Sequence, residues 1–91
     1  MSYHVHNLKE GSRPGDWLQY WEKQTGMKAG TCHKTGCYAT ATDGAHVQLV
    51  DSDNDNWYIV PLCHKCNCQF GESFYVDGPL VPVDSNNRIL W

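Results

Sequence analysis

Cys32-His33-Lys34-Thr35-Gly36-Cys37 and Cys63-His64-Lys65-Cys66 are two short turns, each opened and closed by a thiol, with 25 residues between Cys37 and Cys63. Soft ligands paired in this way can close tetrahedrally around a zinc ion once a hairpin brings the two pairs together. The C-x-x-C pair fits a tight turn that aims both sulfurs at one point. The longer pair uses Gly36 to bend the backbone inward. The spacing predicts one structural zinc held by Cys32, Cys37, Cys63 and Cys66. Disulfides and buried free thiols are the competing fates. The chain has five cysteines, which cannot all pair internally, and residues 1–30 carry no secretory h-region with a cleavage site.

Ninety-one residues suit one small domain, 1–91, whose modest core needs a metal or a staple to supplement it. A structural zinc site contributes on the order of 10 kcal/mol, which becomes folding free energy because the unfolded chain has no preformed site. No stretch approaches the ~20 apolar residues that span a bilayer, and no targeting tail is visible, so the expectation is a soluble, cytoplasmic protein without a membrane partner. Seven Lys and Arg stand against ten Asp and Glu, a net charge of −3. Four thiolates with one divalent ion bring the holo domain to about −5, which disfavours generic nucleic-acid binding. Lys34 and Lys65, inside the two turns, are expected to offset the thiolate charge.

The flanking segments read as follows. Residues 1–30 form an irregular arm, in which His4 and His6 belong to a solvated terminus, and then a helix. The polar stretch Ser12 to Asp16 leads into Trp17–Thr25, with Gly26 as the exit and Trp17 and Trp21 on one face at i,i+4. Within a core of 31–70, Tyr38–Thr42 reads as a strand, Asp43-Gly44 as a turn, the stretch with Val47, Leu49 and Val50 as the next strand, and Trp57–Val60 as its return. Asp51 to Asn56 imitates a calcium loop but fails its test: Asn56 stands where glycine is wanted and Leu62 where the bidentate glutamate belongs. A solvated hairpin turn is expected there. Pro61 is expected to end the strand, and His64 to Phe70 to form a short helix stopped by Gly71. Residues 71–91 read as an extended C-terminal segment, with apolar patches at Phe74–Val76, Leu80–Val83 and Ile89–Trp91.

The order of zinc turn, hairpin, second zinc turn and short helix is that of a treble-clef finger in a small α+β domain. Within that class, Gly44-Ala45-His46-Val47 followed by Pro61-Leu62-Cys63-His64-Lys65-Cys66-Asn67 resembles the zinc-containing HNH endonuclease superfamily, over roughly residues 32 to 70. The resemblance implies a ββα core in which two cysteine pairs hold a structural zinc. A strand histidine, matched by His46, would act as general base beside a separate catalytic divalent ion. Asn67, just after the last zinc cysteine, matches a family position that supplies histidine or asparagine. Two positions depart from the pattern. Ala45 stands where the family places a metal-binding Asp or His, and Tyr58 where it places the central asparagine, which Asn54 or Asn56 could replace only with a shift of register. A working site would need another ligand, with His64 and Asp43 nearest in sequence.

Two functions follow. The leading one is a zinc-stabilised HNH-like module that has lost or weakened its nuclease chemistry and serves as a binding or adaptor unit for a protein or nucleic-acid partner. The alternative is a divergent nuclease hydrolysing phosphodiesters, with His46 activating water and a second divalent ion bound. His46 also has a structural reading, as a hydrogen-bonded imidazole on a half-buried strand. Cys68 could act as a nucleophile if its thiolate were stabilised near the zinc turn, but no recognisable Cys-His-Asp/Asn catalytic signature surrounds it in sequence, so a buried or spectator thiol is expected, with a further reading as an alternate zinc ligand. The oligomeric state is left open.

Overall fold

Five antiparallel strands run in the spatial order β4-β1-β2-β3-β5. The computed structural model describes residues 2–8, 16–51 and 56–83. In chain order the elements are β1 (Ser2–Asn7), α1 (Asp16–Thr25), β2 (Asp43–Leu49), β3 (Trp57–Leu62), α2 (His64–Asn67), β4 (Ser73–Asp77) and β5 (Val81–Val83).

Strand alternation divides the sheet into two chemically distinct faces. Val5, Ala45, Val47, Val60, Leu62, Phe74 and Val76 pack with Cys32, Cys63 and Cys66 on one face. On the other, Ile59, Val81 and Val83 pack with Tyr20 and Trp21 of α1. In β3, Ile59 and Val60 are adjacent and both fully buried because each belongs to a different core. Trp21 is the anchor of α1: it is buried, its Nε1 donates to the carbonyl of Pro79 at 2.9 Å, and it meets the His33 ring edge-on. Gly26 ends this helix as expected, its amide bonded to the Glu22 carbonyl at 2.9 Å.

Several local expectations are corrected. Residues 2–7 are not a solvated arm but an inner strand, paired with β2 on one side and β4 on the other. His4 stacks on Tyr75 with centroids 4.5 Å apart, and His6 Nδ1 lies 3.2 Å from Ser73 Oγ. Asp43-Gly44 is not a turn but the start of β2, paired with Leu62 and Pro61. Glycine is needed there for close approach: a Cβ on Gly44 would lie 2.5 Å from both the Leu18 nitrogen and the Trp17 carbonyl carbon, so the first turn of α1 rests on bare backbone. Tyr38–Thr42 makes only an isolated bridge, Thr40 to Thr31. Pro61 does not end β3. It pairs with Gly44, past the stretch Trp57–Ile59 where β5 is bonded, so its missing N–H breaks no ladder on that side. The expected helix over 64–70 is a single turn, 64–67.

The outer side of β4 is met by the first cysteine turn. Thr35 donates its amide to the Tyr75 carbonyl at 2.9 Å, Asp77 donates to the His33 carbonyl at 2.8 Å, and Lys34 bridges Val76. Residues 52–55 of the turn expected over Asp51 to Asn56, residues 12–15 of the helix approach expected over Ser12 to Asp16, and the patch Ile89–Trp91 lie outside the described residues.

Candidate metal centre

The first cysteine turn is built by backbone geometry. Cys37 donates its amide to the Lys34 carbonyl at 3.0 Å, Gly36 takes φ +86°, and the Cys32 amide is held by the Ala39 carbonyl at 2.7 Å. A positive φ of this kind is strained for any residue with a Cβ. The same turn is tied to β3 by the His33 amide, bonded to the Pro61 carbonyl at 2.9 Å. Cys63 sits in extended conformation at the start of α2, and Cys66 lies on the buried side of that turn. The strand β3 therefore delivers the second thiol pair directly against the first.

All four sulfurs lie within 4.8 Å of one another. Cys37 Sγ is 3.9 Å from Cys63 Sγ and 3.8 Å from Cys66 Sγ. A tetrahedron with metal–sulfur bonds of about 2.3 Å has edges of about 3.8 Å. A disulfide requires about 2.05 Å, and all five cysteines are free thiols. The four cysteines are thus positioned to hold one metal ion.

The electrostatics of the cluster call for a cation. Burial pushes the Cys32 thiol up, against the pull of the backbone amides of Cys63 and Lys34. Burial, reinforced by the neighbouring thiols, pushes Cys66 strongly up. Cys37 goes the other way, lowered chiefly by the Ala39 amide. Four sulfurs this close cannot all ionise in a buried site unless a positive charge stands among them. Lys34 does not supply it: its Nζ donates to Gln69 Oε1 at 2.8 Å and lies 4.8 Å from the centre of the Phe74 ring.

His46 and Asn67 are not brought together. His46 is 2% exposed and lies edge-on to the indoles of Trp17 and Trp57, at 5.0 and 6.0 Å, on the α1 face. Asn67 lies across the sheet, where its Nδ2 donates to Asp43 Oδ2 at 3.0 Å. Asp43 and His46 are three residues apart in one strand and so point to opposite faces. Ala45 is buried in the cysteine-side core, and Tyr58 packs against that same core. Asn56 is exposed, and Asn54 lies outside the described residues. His33 turns away from the sulfurs, its ring nitrogens 3.0 and 3.3 Å from the carbonyls of Asp77 and Ala29.

A second cluster was not foreseen. Asp43 is buried and receives Thr42 Oγ1 on Oδ1 at 3.0 Å, and both Asn67 and His64 on Oδ2. Its burial alone would raise the carboxyl pKa, but the hydrogen bonds from Asn67, His64 and Thr42 outweigh that and hold it below the ordinary aspartate range. Cys68, expected to be a buried or spectator thiol, is exposed and stands against His64. The spacing His64-x-x-x-Cys68 was the available sequence signal, since residues four apart share a helical face. The sequence offers Asp43, with His64, only as a nearby substitute ligand; its contact with the α2 turn arrives through the pairing of β2 with β3.

Comparison with protein-family models, with curated proteins and with solved structures finds no match. Among the described residues no helix is long and apolar enough to cross a membrane.

Proposed function

We propose that Cys32, Cys37, Cys63 and Cys66 hold one structural zinc, and that the chain is a treble-clef, HNH-like binding or adaptor module rather than a working nuclease. The observation that carries this reading is the placement of His46. A general base must reach water and a phosphodiester beside a metal ion, whereas His46 is enclosed between two tryptophans. The opposite orientation of Asp43 and Asn67, and the lack of a donor atom on Ala45, point the same way. The role of the metal is to weld the two turns to the sheet, and with it a 91-residue chain gains the stability its two small cores lack.

A holo charge of about −5 suits a protein partner better than free duplex DNA. The test is cleavage of plasmid and single-stranded DNA by zinc-loaded protein with Mg²⁺ or Mn²⁺ added. No cleavage by wild type is expected. Robust cleavage that a folded His46→Ala variant loses would establish the nuclease instead.

A further inference from the structure

Cys68 stands immediately after α2, its amide bonded to the His64 carbonyl at 2.9 Å, so the two side chains share a helical face. Its Sγ lies 3.4 Å from His64 Nε2, and His64 Nδ1 lies 2.9 Å from Asp43 Oδ2. The order is thiol, imidazole, buried carboxylate. Thr42 and Asn67, both at 3.0 Å, pin the carboxylate from two further directions. His64 opens α2, Cys68 follows its last residue, and Asp43 opens β2; the fold brings the three into line.

Donor and acceptor roles follow from elementary chemistry. An ionised carboxylate only accepts hydrogen bonds. The hydrogen between His64 and Asp43 therefore resides on Nδ1, and Nε2 is the ring nitrogen that faces the thiol. In the tautomer with its one proton on Nδ1, Nε2 accepts and the thiol donates. A nucleophile beside a base, with the base oriented by a third group, is the arrangement that activates a thiol, and it is recognised by geometry rather than by chain order.

We propose that Cys68 is a modification site: a nucleophilic thiol that adds to soft carbon electrophiles of the α,β-unsaturated carbonyl class, with His64 taking and returning its proton and Asp43 holding His64 in place. In the step, Cys68 Sγ bonds to the β-carbon while its proton passes to Nε2. The π electron pair moves to the α-carbon, which then takes that proton back. The net change is addition of S–H across the double bond. No group leaves, and no electron acceptor is needed.

The surroundings select this chemistry over acyl transfer. Acyl transfer needs free N–H donors for a localised oxyanion, and the amides of Cys68 and Gln69 are already bonded to the carbonyls of His64 and Cys66. Conjugate addition spreads its charge over an enolate, which the returning proton quenches. Access is open, since the His64 side chain is 73% exposed, while the Asp43 side chain that positions it is 6% exposed.

The experiment uses zinc-loaded full chain at pH 7 with acrylamide as the probe, the rate of adduct formation at each cysteine being read by peptide mass spectrometry. Cys68 is expected to react at least ~10-fold faster than glutathione under the same conditions, a modest share of what a positioned base supplies. His64→Gln and Asp43→Asn should each bring the rate to within about twofold of glutathione with zinc per chain unchanged, a change that loss of structure alone would not produce. His64→Gln alters an exposed side chain and so retains the fold. A wild-type rate no greater than that of glutathione, or a His64→Gln variant as fast as wild type, overturns the proposal. Adducts at Cys32, Cys37, Cys63 or Cys66 would instead report failure of metal protection, and they are read separately in the same digest.

Discussion

Asn7, at the end of β1, donates from Nδ2 to the carbonyl oxygen of Asn67, the last residue of α2, at 2.9 Å. The same amide group reaches the Gln69 carbonyl at 3.1 Å, and the Asn7 backbone bonds to Glu72 and Gly71. A strand from the start of the chain thus closes the carbonyl end of the helix that carries Cys66, one of the four clustered thiols. Carbonyls left unpaired in a buried place cost about 1–3 kcal/mol. Asn7→Ala should lower the stability of the zinc-loaded protein by about that amount, measured by urea unfolding. An unchanged midpoint would show that water replaces the side chain without loss.

The seating of α1 on Gly44 makes a second prediction. Gly44→Ala forces a methyl group against the Trp17 and Leu18 backbone, and overpacking of this kind costs about 1–3 kcal/mol. In a domain of this size each kcal/mol moves Tm by roughly 4–8 °C. Thermal melts of the variant should therefore fall by several degrees or more, with zinc stoichiometry retained. A variant as stable as wild type would mean that α1 is free to shift outward.

Metal removal should unfold the chain. Chelation is expected to abolish dispersion in near-ultraviolet circular dichroism, and readdition of zinc to restore it, because the ion's binding free energy is folding free energy. Serine at Cys32, Cys37, Cys63 or Cys66 should reduce bound zinc below one ion per chain, whereas Cys68→Ser should leave it at one. Loss of zinc from Cys68→Ser would reassign the ligand set.

Asp43 supplies a pH prediction whose sign is fixed by its environment. Its folded pKa is depressed, so the unfolded chain binds the proton more readily, and the stability it contributes is present above about pH 4 and lost as pH falls through the folded value. Carboxyl-carbon NMR titration should place its midpoint below the ordinary aspartate value of about 3.9. A midpoint at or above that value would mean that burial outweighs the three hydrogen bonds.

The cysteine cluster and α1 were legible in the sequence for different reasons. Thiols at fixed spacing have few uses, and Trp17 with Trp21, ended by Gly26, leaves little but an amphipathic helix. β1 was hidden because Tyr3 and Val5 are its only apolar residues, and a buried Asn7 does not look like core. Asp43-Gly44 carried a turn signal for reasons that were tertiary: the aspartate is fixed by α2, and the glycine admits α1. Pro61 misled likewise, because its place beyond the reach of β5 is not written in the local sequence. The matched pair His46 and Asn67 could be aligned with a motif, but which face of β2 each one serves depends on the register of the sheet.

The first cysteine turn has a bearing on how this protein would fail. By bonding Tyr75 and Asp77 it occupies the open side of β4, a position where an uncovered strand would offer its backbone to any other extended chain. On the zinc reading proposed above, the ion that joins the sulfurs would also guard a sheet edge. Starved of zinc, the chain would then be expected to lose that guard along with its fold, with self-association through β4 as its route away from the native state.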